Sequence, residues 1–442
     1  MMAMAKLWEK NGKAQNNGNE KLRRKAEEFT VGNDYILDLD LIPYDIRASK
    51  VHAEGLVKAG VLSAGERDTL KRGLDELLHQ WEMGEFTIEK SQEDGHTAIE
   101  QKLIAEVGEV GKMIHTARSR NDQVLVALRL YERERLDEIS EMTVDLAQEF
   151  ISFADEHKEV PLPGYTHTQR AMLASVGMWS ASFAEMLIQD LELLKAAYKN
   201  VNRCPLGTAA GFGVNFELPR DYVSQRLGFD QPITVSMTAQ STRGKVEAQI
   251  LAAITSISAT LARFASDLLM FTSREFDFFA LDDALCTGSS IMPQKRNLDT
   301  AEILRARHAT LLGYEQQLKM VTHNLISGYH RDLQLTKEPV MKALVSIYEM
   351  LSISCSMVEG LEPNAERLNE ACTSELFAAD RANELVKQGM SFRDAYKEVG
   401  EKLEGLEKQN PQENLKGKNH LGATGNLGLE RLKKQLNAFR LH

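Results

Sequence analysis

Between Val246 and Phe271 the residues Val246, Ile250, Ile254, Ile257, Leu261, Phe264, Leu268 and Phe271 recur at steps of 4, 4, 3, 4, 3, 4 and 3. That spacing keeps one apolar face on an α-helix for about seven turns. A strand repeats every second residue and cannot use it. Ala248, Ala252, Ala253, Ala259 and Ala262 put small residues on the other faces. Such a helix can be buried on several sides, as at the centre of a bundle. Twenty-six residues make a rod ~39 Å long.

Four further stretches follow the same rule. Asp122–Phe153 carries Val124, Leu128, Tyr131, Leu136, Ile139, Met142, Leu146 and Phe150. Met172–Tyr198 carries Met172, Val176, Trp179, Phe183, Met186, Leu191 and Leu194. Ala301–Thr322 and Glu338–Val358 complete the set. Only ten prolines punctuate the chain, with none between Pro43 and Pro161 or between Pro232 and Pro293. Proline breaks helix interiors, so these gaps leave room for long helices. The expectation is an all-α fold built on a long-helix bundle, with no extensive sheet.

Residues 1–114 and 363–442 hold shorter, more charged helical pieces, and Pro363-Asn364 marks a boundary. The expected division is an N-terminal helical domain over 1–114, a central bundle over 115–362 and a C-terminal helical domain over 363–442. A chain of 442 residues accommodates two to four domains. Gly417–Gly428, rich in Gly and Asn, is expected to be loop.

The net charge of −11, with no Lys/Arg block, argues against a nucleic-acid partner. It also repels anions at long range, so any anion site must be built from local cations. The longest uncharged run, Ala248–Ala262, is short of the ~20 residues a membrane span needs. Met1–Lys6 is too short for the apolar segment of a signal peptide. Cys204, Cys286, Cys355 and Cys372 form no CxxC pair and suit a reducing compartment. The expectation is a cytoplasmic protein with no membrane, nucleic-acid, metal or cofactor partner.

Three polar segments break the bundle pattern. His115-Thr116-Ala117-Arg118-Ser119-Arg120-Asn121-Asp122-Gln123 precedes a long helix, whose free N–H groups favour anions. A polar cap with solvated arginines is the competing reading. Pro163-Gly164-Tyr165-Thr166-His167-Thr168-Gln169-Arg170 also precedes a helix. His167 there is either an acid/base group or a surface turn residue. The third runs from Thr287 to Glu302 and contains Gly288-Ser289-Ser290-Ile291-Met292-Pro293-Gln294-Lys295-Arg296-Asn297. It pairs mobile serines with a cation and an amide, and Asp299 is placed to cap the following helix. The glycine-rich run Cys204–Gly213 has no GK[ST] and no preceding strand. It is read as a turn packed near the site, not a phosphate loop.

Together these segments carry a resemblance. Gly288–Asn297 resembles the GSSxMPxKxN signature of the fumarase/aspartase superfamily. Within it, His115–Gln123 is similar to the HTGRSRNDQ segment of the argininosuccinate lyase family, and Gly164–Gln169 to its GYTHxQ. The likeness extends from about Trp8 to about Lys402. It implies a helix bundle flanked by two smaller helical domains, and a homotetramer with a 20-helix core. Each active site would be shared between three subunits, with a small-molecule substrate and no cofactor. The implied reaction is the reversible anti β-elimination of argininosuccinate to arginine and fumarate, the last step of arginine biosynthesis.

The resemblance also assigns roles. Ser289 matches the family's base, supported by Lys295, and His167 matches a histidine partnered by Glu302. Arg118, Ser119, Arg120 and Asn121 match carboxylate-binding positions and Thr166 a neighbour of them, while Asn297 with Lys295 would hold the developing carboxylate. Tyr329, Gln334 and Lys337 fall in a segment similar to the family's YNKDLQxDK, and His96 in one similar to its EDxH. The chain departs from the family at several places. Gly32 stands where many relatives have serine and Ala117 where glycine is usual. Ser241-Thr242-Arg243-Gly244-Lys245 replaces S[DE]RDF, Leu298 a proline, and His330-Arg331 Asn-Lys. A relative acting on adenylosuccinate and an inactive protein on the same fold are the alternatives. The HTARSRND sequence and the intact catalytic set weigh against them.

Overall fold

A computed structural model describes residues 17–439, so the reading placed on Met1–Lys6 lies outside it. The chain divides into two compact units. One holds the residues up to Tyr131 together with Arg203–Gln240; the other holds Glu132–Asn202 and the chain from Ser241 onward.

The buried core of the first unit rests on three helices, which follow a leading helix, Asn17–Val31. Helix α1 (Ile42–Lys58) opens with Pro43, whose fixed φ suits a first turn. Helix α2 (Ala64–Glu82) starts on a capping box: the Ser63 hydroxyl accepts from the Glu66 N–H at 3.2 Å, and Glu66 Oε2 accepts from the Ser63 N–H at 2.8 Å. Helix α3 (Gly95–Val107) is capped by Asp94, which accepts from the Thr97 N–H at 2.9 Å. Ile46, Leu56, Leu70, Leu74, Ile99 and Leu103 are buried in one cluster. Helix α4 (Arg120–Glu156) starts in this unit and carries the chain into the second.

The second unit holds the other long helices: α5 (Val176–Val201), α6 (Lys245–Phe271), α7 (Asp299–Val321) and α8 (Lys337–Glu359). Every seam residue from Val246 to Phe271 is buried. Helix α6 runs antiparallel to α5 and to α7. Thr255 donates to Glu315 at 2.7 Å while Ser258 meets His308 at 2.8 Å, so ascending α6 pairs with descending α7. Asp190 on α5 accepts from Ser256 and Thr260, and the Trp179 indole N–H donates to Asp267 at 2.9 Å. Phe150, Phe183 and Phe264 pack with ring centroids 5.1 to 5.5 Å apart. By length and composition α6 and the stretch Arg331–Glu359 could cross a membrane, yet half or more of each apolar window is buried within the protein.

The all-α expectation holds, with corrections. Met172 does not begin a helix. It lies in an antiparallel hairpin, Pro161–Thr166 with Gln169–Ser175, and α5 starts at Val176 under a Ser175 cap that accepts from the Met178 N–H at 3.0 Å. Pro161 and Pro163 lack strand N–H donors and hide this hairpin from the sequence. Every sheet among the described residues has two strands. Asn364 caps the helix Ala365–Ala371, accepting from the Arg367 N–H at 3.2 Å. Beyond Gly417 the chain is loop as far as Gly428, apart from one Ala423–Asn426 bridge.

Candidate active site

The 287–297 segment is a second small hairpin, Thr287 opposite Asn297 and Gly288 opposite Arg296. The chain from Ser289 to Lys295 crosses its tip. There the Ser289 hydroxyl oxygen accepts the N–H of Met292 at 3.1 Å and, more weakly, that of Ile291 at 3.4 Å. Fixed donors aimed at that oxygen favour its deprotonated form, which a serine base requires. Arg274 holds the loop from behind by donating to the Gln294 carbonyl at 2.7 Å. Arg296 is committed to the Leu281 carbonyl and to Asp283. The neighbouring Lys295 ammonium is exposed and makes no ion pair among the described residues. Asn297 is half-buried, and Glu302 is exposed in the first turn of α7. Asp299 does not cap that helix. Leu298 occupies the cap position, and Asp299 instead accepts from the Thr287 hydroxyl, tying the hairpin base together.

His167 and Thr168 form the tip of the 161–175 hairpin, with φ of +52° and +59°. Thr166 pairs with Gln169 around them. Two left-handed residues make a type I′ turn, which Asn-Gly normally fills. A His-Thr pair there is strained, and such strain concentrates at functional positions. Both side chains are exposed, as is Thr166. Tyr165 packs on Phe271 and Phe276, at 6.5 and 5.8 Å between centroids, so this hairpin lies at the same end of α6 as the Ser289 loop. No hydrogen bond or ion pair joins His167 to Glu302 among the described residues.

Tyr329, Gln334 and Lys337 lie at the opposite end of α7. Tyr329 sits beneath the Arg243 guanidinium, 5.6 Å from its ring centroid. Gln334 is half-buried, and Lys337 is buried at the start of α8. Gly244 makes this junction possible. Its φ is +81°, and a Cβ there would stand 2.3 Å from Thr322 Cγ2. The glycine in the departed Ser241–Lys245 motif is therefore a packing requirement of this chain. The 23 residues of α7 separate this segment from Asn297 by about 35 Å.

The fourth group of expected residues belongs to the first unit. Arg120 pairs with Glu93 and Asp94 at 3.3 Å and donates to Thr97 at 2.6 Å. Ser119 and Asn121 are half-buried beside it. Arg118 is buried, and its guanidinium donates to the Ser49 hydroxyl at 2.9 Å, which points to internal support more than ligand contact. His96 is also buried, with Nδ1 on Asp45 and Nε2 without a hydrogen-bond partner among the described residues. Burial alone would raise the Asp45 carboxyl, but His96, Arg118 and the Gln123 amide hold it below the usual range. Burial opposes protonation of His96, and Asp45, Asp94 and Asp38 override it, raising its pKa.

Asp122 carries the glycine-rich run. Its carboxylate accepts from the N–H groups of Ser119 at 2.9 Å, Gly207 at 3.0 Å and Ala209 at 2.8 Å. Burial still raises it to about 6. The run is a turn, as expected, though a two-residue strand, Arg203–Cys204, does precede it and pairs with Gln231–Pro232. Sequence reading missed Asp45, Ser49 and His52. Their spacing of four and three residues puts three buried polar groups on one face of α1, and that seam was the available signal.

The comparisons with known proteins fit this geometry. Residues 24–313 match a family model described as Lyase. A solved EDDS lyase in complex with formate superposes with a TM-score of 0.80 at 22% identity, covering 94% of this chain and 90% of the other. A fumarate lyase:delta crystallin from Brucella melitensis gives 0.74 at 18% identity, covering 95% and 94%. The class so defined is the lyases of the fumarase/aspartase superfamily. An argininosuccinate lyase from Sorangium cellulosum is 44% identical over 432 residues, 98% of each chain. One from Thermotoga neapolitana is 41% identical over 403 residues, 91% of this chain and 99% of its own. The chain belongs to the argininosuccinate lyase family.

Proposed function

We propose that this chain is an argininosuccinate lyase that splits argininosuccinate into arginine and fumarate by reversible anti β-elimination. The observation that carries the reading is the Ser289 hydroxyl seated on two backbone N–H donors beside Lys295, which makes no ion pair among the described residues. Ser289 as alkoxide takes the proton next to the succinyl carboxylate. The electron pair passes into that carboxylate, where Lys295 and Asn297 meet the developing charge. The C–N bond then breaks toward the guanidino nitrogen, and His167 returns a proton to it, oriented by the Glu302 of another subunit, since no hydrogen bond or ion pair joins the two within one chain among the described residues. Arg120 and Asn121, with Ser119 and Thr166, hold carboxylates. Arg118 and His96 stand behind them, and Tyr329, Gln334 and Lys337 bind the amino-acid end.

The working enzyme is a cytoplasmic homotetramer, with domains 1–114, 115–362 and 363–442 in each chain. Three subunits contribute to each site. Support for sharing is geometric: Asn297 and Tyr329 stand about a helix length apart in one chain, too far to grip one small substrate. The same protein is the last enzyme of arginine biosynthesis.

The test is direct. Purified protein given argininosuccinate should release fumarate, read by ultraviolet absorbance, and adenylosuccinate should not. Fumarate from adenylosuccinate alone would reassign the substrate. None from either would sink the lyase reading.

A further inference from the structure

We propose that Asp45 is a positioning residue for substrate carboxylate binding, acting through Arg118 and Gln123 on either side of Arg120 and Asn121. Asp45 lies on α1, far from those residues in sequence, and is 2% exposed. A buried carboxylate is costly unless its charge and lone pairs are met. Here they are met from three directions. Oδ1 accepts from the Ser49 hydroxyl at 3.1 Å and the Gln123 amide at 3.2 Å, and Oδ2 binds His96 Nδ1. Ser49 also accepts from Arg118 at 2.9 Å, which links the guanidinium to the same carboxylate.

The contacts therefore fasten both ends of one short segment. Arg118 is held before Arg120 and Asn121, and Gln123 after them. Arg118 faces Asp45 across Ser49, and burial works against its charge, so it depends on nearby carboxylates. Removing the Asp45 charge leaves Arg118 and His96 buried with less compensation. The strain falls on the segment between them, while the Ser289 loop, in the other compact unit, keeps its own contacts. A defect in binding with chemistry largely preserved is the signature of such a residue.

This inference rests on the lyase reading, and the experiment separates the two. Steady-state kinetics with argininosuccinate are compared for wild type, Asp45→Asn, Ser49→Ala and Leu56→Ala. Asp45→Asn keeps size and shape. Its KM is expected to rise about tenfold with kcat within about threefold of wild type. Ser49→Ala, a milder change, should move KM in the same direction by about threefold. It carries the test if Asp45→Asn does not fold. Leu56→Ala loosens the apolar core of the same unit and should lower the thermal midpoint with KM unmoved. An unchanged KM in both polar variants would overturn the proposal, as would an equal KM rise in Leu56→Ala. An inactive wild type would overturn the lyase reading and this inference with it.

Discussion

The His52 imidazole donates from Nε2 to the Thr116 carbonyl at 2.9 Å, pinning the turn that leads into Arg118–Asn121. Burial, aided by the Arg118 charge, lowers the His52 pKa to about 3. In the unfolded chain it returns to about 6.5. The unfolded state therefore binds the extra proton below pH 6.5. Stability is complete above that pH and is lost as pH falls toward 3, at about 1.4 kcal/mol per pH unit. At pH 5 the loss from this group is about 2 kcal/mol. His52→Gln keeps a donor for Thr116 and removes the titration. Denaturant unfolding at pH 5 and 7.5 should show a smaller acid penalty in the variant than in wild type. Parallel curves for the two would contradict it.

Ala117, one residue further on, has φ of +59°. A side chain at that φ costs roughly 1–2 kcal/mol, against the 0.5–1 kcal/mol of extra chain entropy that glycine loses. Ala117→Gly, restoring the residue usual in the family, should stabilise the protein by about 0.5 kcal/mol. The check is the denaturation midpoint, expected to move upward with unchanged slope.

At the far end of the bundle the sign reverses. Gly244→Ala would drive a methyl onto Thr322 at 2.3 Å from a backbone already at φ +81°. The threonine belongs to the α7 terminus and cannot retreat without moving it. A loss of about 3 kcal/mol is expected, with a fall in activity through the Arg243–Tyr329 contact. A thermal midpoint equal to wild type would show that the junction is looser than drawn.

How much of this was legible depends on what carries each feature. The five long helices were readable because burial of Ile250, Leu261 or Phe264 imposes a helical period on the sequence itself. The Ser289 loop was readable as a motif, yet its two N–H donors arise from a backbone turn that no residue type announces. The His167 hairpin was missed because its turn lacks Asn-Gly and its strands carry prolines. Asp45 was missed for a different reason. Its partners Gln123 and His96 lie 78 and 51 residues away, so tertiary packing alone brings them together.

Sharing of sites between subunits can be tested by mixing inactive chains. Ser289→Ala removes the proposed base and should abolish turnover while the far-ultraviolet circular dichroism and the oligomer persist. Tyr329→Ala removes a contact at the other end of α7, about 35 Å away. If each site takes these two residues from different chains, a mixed tetramer holds some sites with both intact. Random mixing of equal amounts should restore about one site in four. The control is a chain carrying both changes, mixed with itself, which has no intact site to form. Subunits are exchanged by mild denaturation and refolding, and fumarate release is followed. Activity that never rises above the parents, with mixed tetramers demonstrated by mass, would rule out sites drawn from more than one subunit.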